Sequence, residues 1–315
     1  MCIRDRLAQI AQIEMAPEER DKNFTRHRVQ LFDGNIHDAI PQIEDKLNEE
    51  ERVMVVCNTV NQAQEVFKTL RGAVKEDKAK LLHSRFILKD RQRIEKELKN
   101  ADFLVGTQAV EVSLDIDFDC LFTEPAPIDA LIQRFGRINR KGKKGICDVH
   151  ICNQGGKSDS FIYSTEKVER TKNAFTSVDV LHESKIQNLI DEVYGDEYDE
   201  KEYEKFDKAK RMFEQHVECI VPFIEDKSGR YEFENLFKSI AVVPIIYKDV
   251  YSEHIKAKEY YEAEGYVAQI QDYQFARLCR ENLLHKDPSL RQWFINVRYD
   301  ETLGLLLDEP NPCII

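Results

Sequence analysis

The sequence predicts an α/β fold: a parallel sheet, then a helical acidic stretch, then a smaller α+β domain. Three observations predict it. Short apolar, β-branched runs at residues 28–32, 53–57, 80–83, 102–106, 120–123 and 145–152 alternate with helical patterns, as strands joined by crossover helices do. The pattern changes after Gly155-Gly156, where residues 164–215 read mostly as helix. The length of 315 residues exceeds one small module.

The elements follow in order. Residues 1–25 fit no pattern and read as an N-terminal remnant or scar. After the first strand, Ile36, Ile40, Ile43 and Leu47 share one helix face. Ala63, Val66, Phe67 and Leu70 do the same after the second strand, and Ile94 and Leu98 after the third. Pro127 suits the first turn of a helix over residues 128–140. At about 100° per residue, Gln133, Arg137 and Arg140 fall within about 60° of one another, opposite Leu131, Phe135 and Ile138. Further on, Ile186, Leu189, Ile190 and Val193 form an apolar stripe. The last hundred residues offer strand candidates at 219–224, 241–247, 293–299 and 303–307 among helical segments. In parallel α/β sheets ligands sit at the carboxyl ends of the strands, so the loops there are the candidate site.

The composition narrows the function. Acids outnumber bases by 58 to 46, for a net charge of −12. No apolar run is long enough to span a bilayer, and no signal segment opens the chain. The eight cysteines are scattered, which points to a reducing cytoplasm. A net acidic chain is a poor partner for phosphate, but the acidity is uneven. Residues 1–155 hold 25 bases and 26 acids; residues 156–315 hold 21 bases and 32 acids. The run Asp191, Glu192, Asp196, Glu197, Asp199, Glu200, Glu202 and Glu204 reads as a solvated helix face or hinge. Arg134, Arg137, Arg140, Lys141, Lys143 and Lys144 form the densest basic run, with no acid among them. Local clusters of this kind hold phosphates that net charge conceals.

The segment Gln133-Arg134-Phe135-Gly136-Arg137-Ile138-Asn139-Arg140 resembles the last conserved motif of superfamily 2 helicases, Q-R-x-G-R-x-x-R. Residues 53–64 and 102–117 resemble, in order and spacing, earlier motifs of the second RecA-like domain. Three segments together are similar to the CRISPR-associated helicase–nuclease of type I systems. They are Leu82-His83-Ser84-Arg85-Phe86 with Asp90-Arg91, Glu111-Val112-Ser113-Leu114-Asp115-Ile116-Asp117, and residues 128–137. The likeness covers residues 26–155 and extends only loosely beyond them.

The resemblance implies a RecA-like second helicase domain over 26–158, a helical acidic linker over 159–215 and a C-terminal accessory domain over 216–315. ATP would lie between two RecA-like domains, with Arg137 and Arg140 as arginine fingers and Gln133 lining the γ-phosphate side. Asp115 and Arg134 would serve the nucleotide. Asn58, Thr59, His83, Arg85, Thr107 and Gln108 would meet the nucleic acid at the strand ends. For Asn58 and Asp115, a plain turn or cap role stands equally open. The implied partners are single-stranded DNA and the guide-RNA surveillance complex of a type I CRISPR system, with no membrane.

A complete helicase also needs G-x-x-x-x-G-K-[ST] and an acidic Mg²⁺ motif, which the resemblance puts in the first RecA-like domain. Gly155-Gly156-Lys157-Ser158 imitates the loop, but the required earlier glycine is Ile151, so it reads as a plain loop. His37-Asp38 is a lone pair rather than an HD nuclease site, and Cys147 and Cys152 read as core cysteines rather than a zinc site. The chain therefore reads as the C-terminal part of a longer enzyme, expected not to hydrolyse ATP alone. Another superfamily 2 DNA or RNA helicase, or a non-catalytic nucleic-acid-binding module, remain the alternatives.

Overall fold

The computed structural model describes residues 24–111, 114–156, 158–195, 200–218 and 239–311. The strand candidate at 219–224, the residues Val112, Ser113 and Lys157, and Asp196, Glu197 and Asp199 of the acidic run lie outside them.

The first half alternates as its apolar pattern requires. The elements run β1 (Thr25–Phe32), α1 (Ile40–Asn48), β2 (Val53–Val56), α2 (Val60–Leu70), β3 (Ala79–Leu82), α3 (Leu88–Glu97), β4 (Phe103–Gly106), β5 (Cys120–Thr123), α4 (Ile128–Phe135) and β6 (Cys147–Cys152). β2, β4 and β5 are buried at every position, which is why they read as continuous apolar runs rather than alternating ones. The crossover helices take sheet surface out of water, burying Ile43 and Leu47 of α1 and Ala63, Val66, Phe67 and Leu70 of α2.

Next come α5 (Thr165–Phe175), β7 (Val180–His182), α6 (Ile186–Tyr194) and α7 (Glu200–Glu218). The sheet order is β3-β4-β2-β5-β6-β1-β7. Its strands are parallel except β7, which runs antiparallel to β1. The stretch expected as a linker thus supplies an edge strand. It also supplies Ala174, Phe175, Leu181, Leu189 and Val193 to the same core. A strand of only Val180–His182 inside a helical pattern leaves no period to read, and its pairing with β1 is a tertiary contact.

The C-terminal region contains β8 (Ser239–Pro244), α8 (Lys248–Ala257), α9 (Tyr260–Glu264), β9 (Ala268–Gln271), α10 (Asp272–Arg280), β10 (Leu284–Asp287), β11 (Gln292–Ile295), β12 (Val297–Asp300) and β13 (Gly304–Pro310). A four-stranded sheet of order β10-β11-β8-β9 and the β12-β13 hairpin make it α+β. Its own core includes Val242, Ile270, Leu278, Ile295 and Leu305, and Ile87 from the first half joins it.

One expected element is shorter than its pattern. The helix placed over 128–140 stops at Phe135, where Gly136 donates its N–H to the carbonyls of Ile132 and Arg134. The chain then pairs with the approach to β5: Phe118 N donates to Arg137 O at 2.9 Å and Asn139 N to Phe118 O at 3.0 Å. Asn139 adopts a left-handed φ of 45°, tolerated best by Asn after Gly. This turn buries Ile138 and Asn139 completely while satisfying their backbone. Arg137 and Arg140 therefore do not share a helix face with Gln133.

Candidate nucleotide and strand site

The carboxyl edge of the sheet holds a polar cluster centred on Arg134. α4 carries this arginine inward, and its side chain has no solvent exposure. Its Nε donates to Glu111 Oε1 at 2.9 Å. Nη1 donates to Thr123 Oγ1 at 2.7 Å and Glu124 O at 3.1 Å, and Nη2 to Asn58 Oδ1 at 3.3 Å and Tyr163 OH at 3.1 Å. The planar fork thus ties the ends of β2 and β5 to the loop after β6, a task that needs several directed donors. Arg134, expected at the nucleotide, is instead spent on internal partners because α4 turns it into the core.

Carboxylates surround this cation. Glu124 accepts from Asn58 N at 2.6 Å and Gln62 Nε2 at 2.8 Å. Burial raises its pKa to about 7 despite those bonds. Asp159 accepts from Asn58 Nδ2 at 2.7 Å, and its own pKa is raised by burial. Glu111 is raised by burial too, against the pull of Arg134. Sequence reasoning passed over Glu111, Glu124, Asp159 and Tyr163 as network members. Only Glu111 lay inside a quoted motif, and nothing local marks the others.

Arg137 and Arg140 meet by another route. Arg137 Nη1 donates to Leu114 O at 2.6 Å and Nη2 to Glu111 O at 2.5 Å. Its Nε is one of the few buried side-chain polar atoms without a hydrogen-bond partner among the described residues. Arg140 Nη1 reaches the same Leu114 carbonyl at 3.5 Å, and its Nε lies 3.5 Å from Asp115 Oδ1. Burial, and then the neighbouring Arg140 charge, lower the pKa of Arg137. Two guanidiniums thus converge on one backbone carbonyl, and one of them keeps an idle donor. Gln133 is exposed on α4.

The expected strand contacts divide by burial. Asn58, His83, Arg85 and Thr107 are buried. Asn58 also donates to Pro125 O at 2.9 Å. Thr59 caps α2, its Oγ1 accepting from Gln62 N at 3.3 Å. Gln108 donates to Asn58 O at 3.2 Å and Tyr163 OH at 3.3 Å. His83 Nε2 pairs with Leu303 O at 3.0 Å, and Arg85 Nη1 donates to Asn61 Oδ1 at 2.6 Å. Asn58, Thr107, His83 and Arg85 thus shape the loops from inside, while Thr59 and Gln108 are half-buried at the edge.

The comparisons with known proteins bear on this arrangement. Residues 49–143, which span every candidate from Asn58 to Arg140, match the family model described as CRISPR-associated nuclease/helicase Cas3, C-terminal. Over residues 49–143 the chain is similar to a Cas3 C-terminal region. The region is similar to the CRISPR-associated nuclease/helicase Cas3 of Streptococcus thermophilus at 38% identity over 144 residues, 42% of this chain and 15% of that protein. The Cas3 likeness extends further against the nuclease/helicase of Methanothermobacter thermautotrophicus, at 27% identity over 267 residues, 78% of this chain and 31% of that protein. The chain thus spans less than a third of these relatives. The crystal structure of T. fusca Cas3 with AMPPNP shares the fold, with a TM-score of 0.52 at 19% identity over 75% of this chain and 32% of that one. The α/β fold and the family resemblance read from the motifs both hold. Among the described residues no helix is long and apolar enough to cross a membrane.

Proposed function

We propose that this chain forms the second RecA-like half of an ATP-dependent DNA helicase of CRISPR defence, closing on the nucleotide with Arg137 and Arg140. The observation that carries the reading is their convergence on the Leu114 carbonyl, with Arg137 Nε buried and unpartnered. A γ-phosphate entering there would take that idle donor and neutralise both cations. ATP supplies the transferring phosphoryl group, whose developing charge guanidiniums stabilise. Arg140 would exchange its exposed partner Asp115 for phosphate on closure, leaving Asp115 for the ribose. Gln133 would line the γ-phosphate side. The ligands of Mg²⁺ belong, in this reading, to the opposing RecA-like domain.

Single-stranded DNA would run along the carboxyl edge, against the loops that Asn58, Thr107, His83 and Arg85 hold in shape and that Thr59 and Gln108 present. The recruiting partner in this reading is a guide-RNA surveillance complex, as the family resemblance implies.

The test uses this chain joined to a first RecA-like half. Arg137→Ala should lower strand-stimulated ATP hydrolysis by about a thousandfold while single-strand binding is kept. An unchanged rate overturns the arginine-finger role. Stimulation by RNA but not DNA overturns the assigned substrate.

A further inference from the structure

A second polar cluster lies across the seam between the first half and the C-terminal region, apart from the Arg134 and Arg137 networks. Arg85, in the loop after β3, is buried to 7% exposure, and burial lowers its pKa to about 10. Among the described residues no carboxylate lies within ion-pair distance of it. Its Nη1 donates to Asn61 Oδ1 at 2.6 Å, and Asn61 Nδ2 donates to Asp308 Oδ2 at 3.3 Å. Asp308 Oδ1 accepts from Arg277 Nη1 at 2.6 Å. One carboxylate therefore sits between two guanidiniums, bonded directly to one and through an amide to the other.

That is the place and charge of a phosphate between two arginines. The surroundings suit a nucleotide chain. Tyr273, Arg277 and Arg280 lie on one face of α10, at four- and three-residue spacing. Tyr273 is 68% exposed, unlike an aromatic serving a core, and its hydroxyl accepts from Gln274 Nε2 at 3.1 Å. Glu281 adds a second, weaker partner to Arg277 at 3.9 Å. Asn61 lies in the first turn of α2, two residues after Thr59, so the cluster continues the carboxyl edge of the sheet.

We infer that Arg85, Asn61 and Arg277 form a phosphodiester site for single-stranded DNA, that Tyr273 stacks on an adjoining base, and that Asp308 occupies the phosphate position until the strand displaces it. The inference rests on the proposed strand-binding function and adds to it a contact shared by both parts of the chain. An incoming phosphate takes the donors of Arg277 and Asn61, and Asp308 turns to solvent. A base on Tyr273 adds a sequence-tolerant contact.

The test is fluorescence anisotropy of the 315-residue chain with a labelled oligothymidine, across a salt series. Arg277→Gln should weaken binding about tenfold and reduce the salt slope by about 0.7. Tyr273→Ala should weaken it about tenfold with the slope unchanged. Asp308→Asn should tighten binding, a gain that a merely structural Asp308 would not give. Wild-type binding that none of the three alters overturns this site and leaves the strand-binding function standing. A wild-type chain that binds no single strand overturns both. Asp308→Asn that weakens binding, with its thermal midpoint unchanged, overturns the placeholder role.

Discussion

Tyr299, on β12, donates its hydroxyl hydrogen to Asp90 Oδ2 at 2.6 Å across 209 residues of sequence. The Tyr299 hydroxyl oxygen in turn accepts from Ile87 N at 3.2 Å. The C-terminal hairpin is thereby fastened to α3 by a buried phenol that serves as donor and acceptor at once. Burial and the Asp90 carboxylate raise its pKa far above the ordinary phenol range, so it stays protonated and able to donate.

Tyr299→Phe should destabilise the chain by about 1–3 kcal/mol, because it strands a buried carboxylate oxygen and a backbone N–H while keeping the ring. Urea unfolding of the two proteins measures it. Equal midpoints would show that water serves both groups as well as the phenol does.

Gly304 turns the hairpin at a φ of 73°, and a Cβ there would meet His83 Cε1 at 2.7 Å and Arg85 O at 2.9 Å. Gly304→Ala should cost about 1–3 kcal/mol through backbone strain and the close approach. Faster hydrogen exchange at Leu305, whose N–H bonds Arg85 O at 3.0 Å, should locate the damage at the seam.

His83 is held neutral by its partners. Nδ1 accepts from Arg85 N at 3.1 Å, so Nε2 carries the hydrogen donated to Leu303 O. Burial, and then the Arg85 charge, lower its pKa from 6.5 to about 3. As pH falls below the unfolded value, the unfolded chain binds the proton first and stability drops. The loss reaches about 1.4 kcal/mol per pH unit until the folded ring protonates as well. His83→Gln should therefore gain on wild type as pH falls from 7 to 4, whatever its stability at neutrality. Parallel denaturation midpoints across that window would refute the effect.

Arg134→Lys should destabilise the chain by about 3–5 kcal/mol even though the charge is retained. One ammonium cannot reach Glu111, Thr123, Asn58 and Tyr163 together. Thermal unfolding monitored by circular dichroism gives the value. A change of under 1 kcal/mol would show that charge alone matters here.

The amino-acid sequence determined the six strands β1 to β6 and the helices between them. β-branched runs and 3.6-residue stripes are local signals, and burial on both sheet faces makes them strong. It also carried the family likeness, because the arginine motif and its upstream partners keep their spacing whatever surrounds them. Spacing could not decide which arginine faces outward. Helical spacing set Arg137 and Arg140 apart from Arg134 but left the burial of each open. The end of α4 at Phe135 sends Arg134 into the core and leaves the others beside Leu114. The same limit hid β7, whose three residues acquire their meaning from β1, and the roles of Asp90, Tyr299, Asp308 and Arg277. Those side chains are ordinary polar residues until the C-terminal region folds back over α2 and α3. Burial, and partners more than two hundred residues apart along the chain, are properties of the packed molecule.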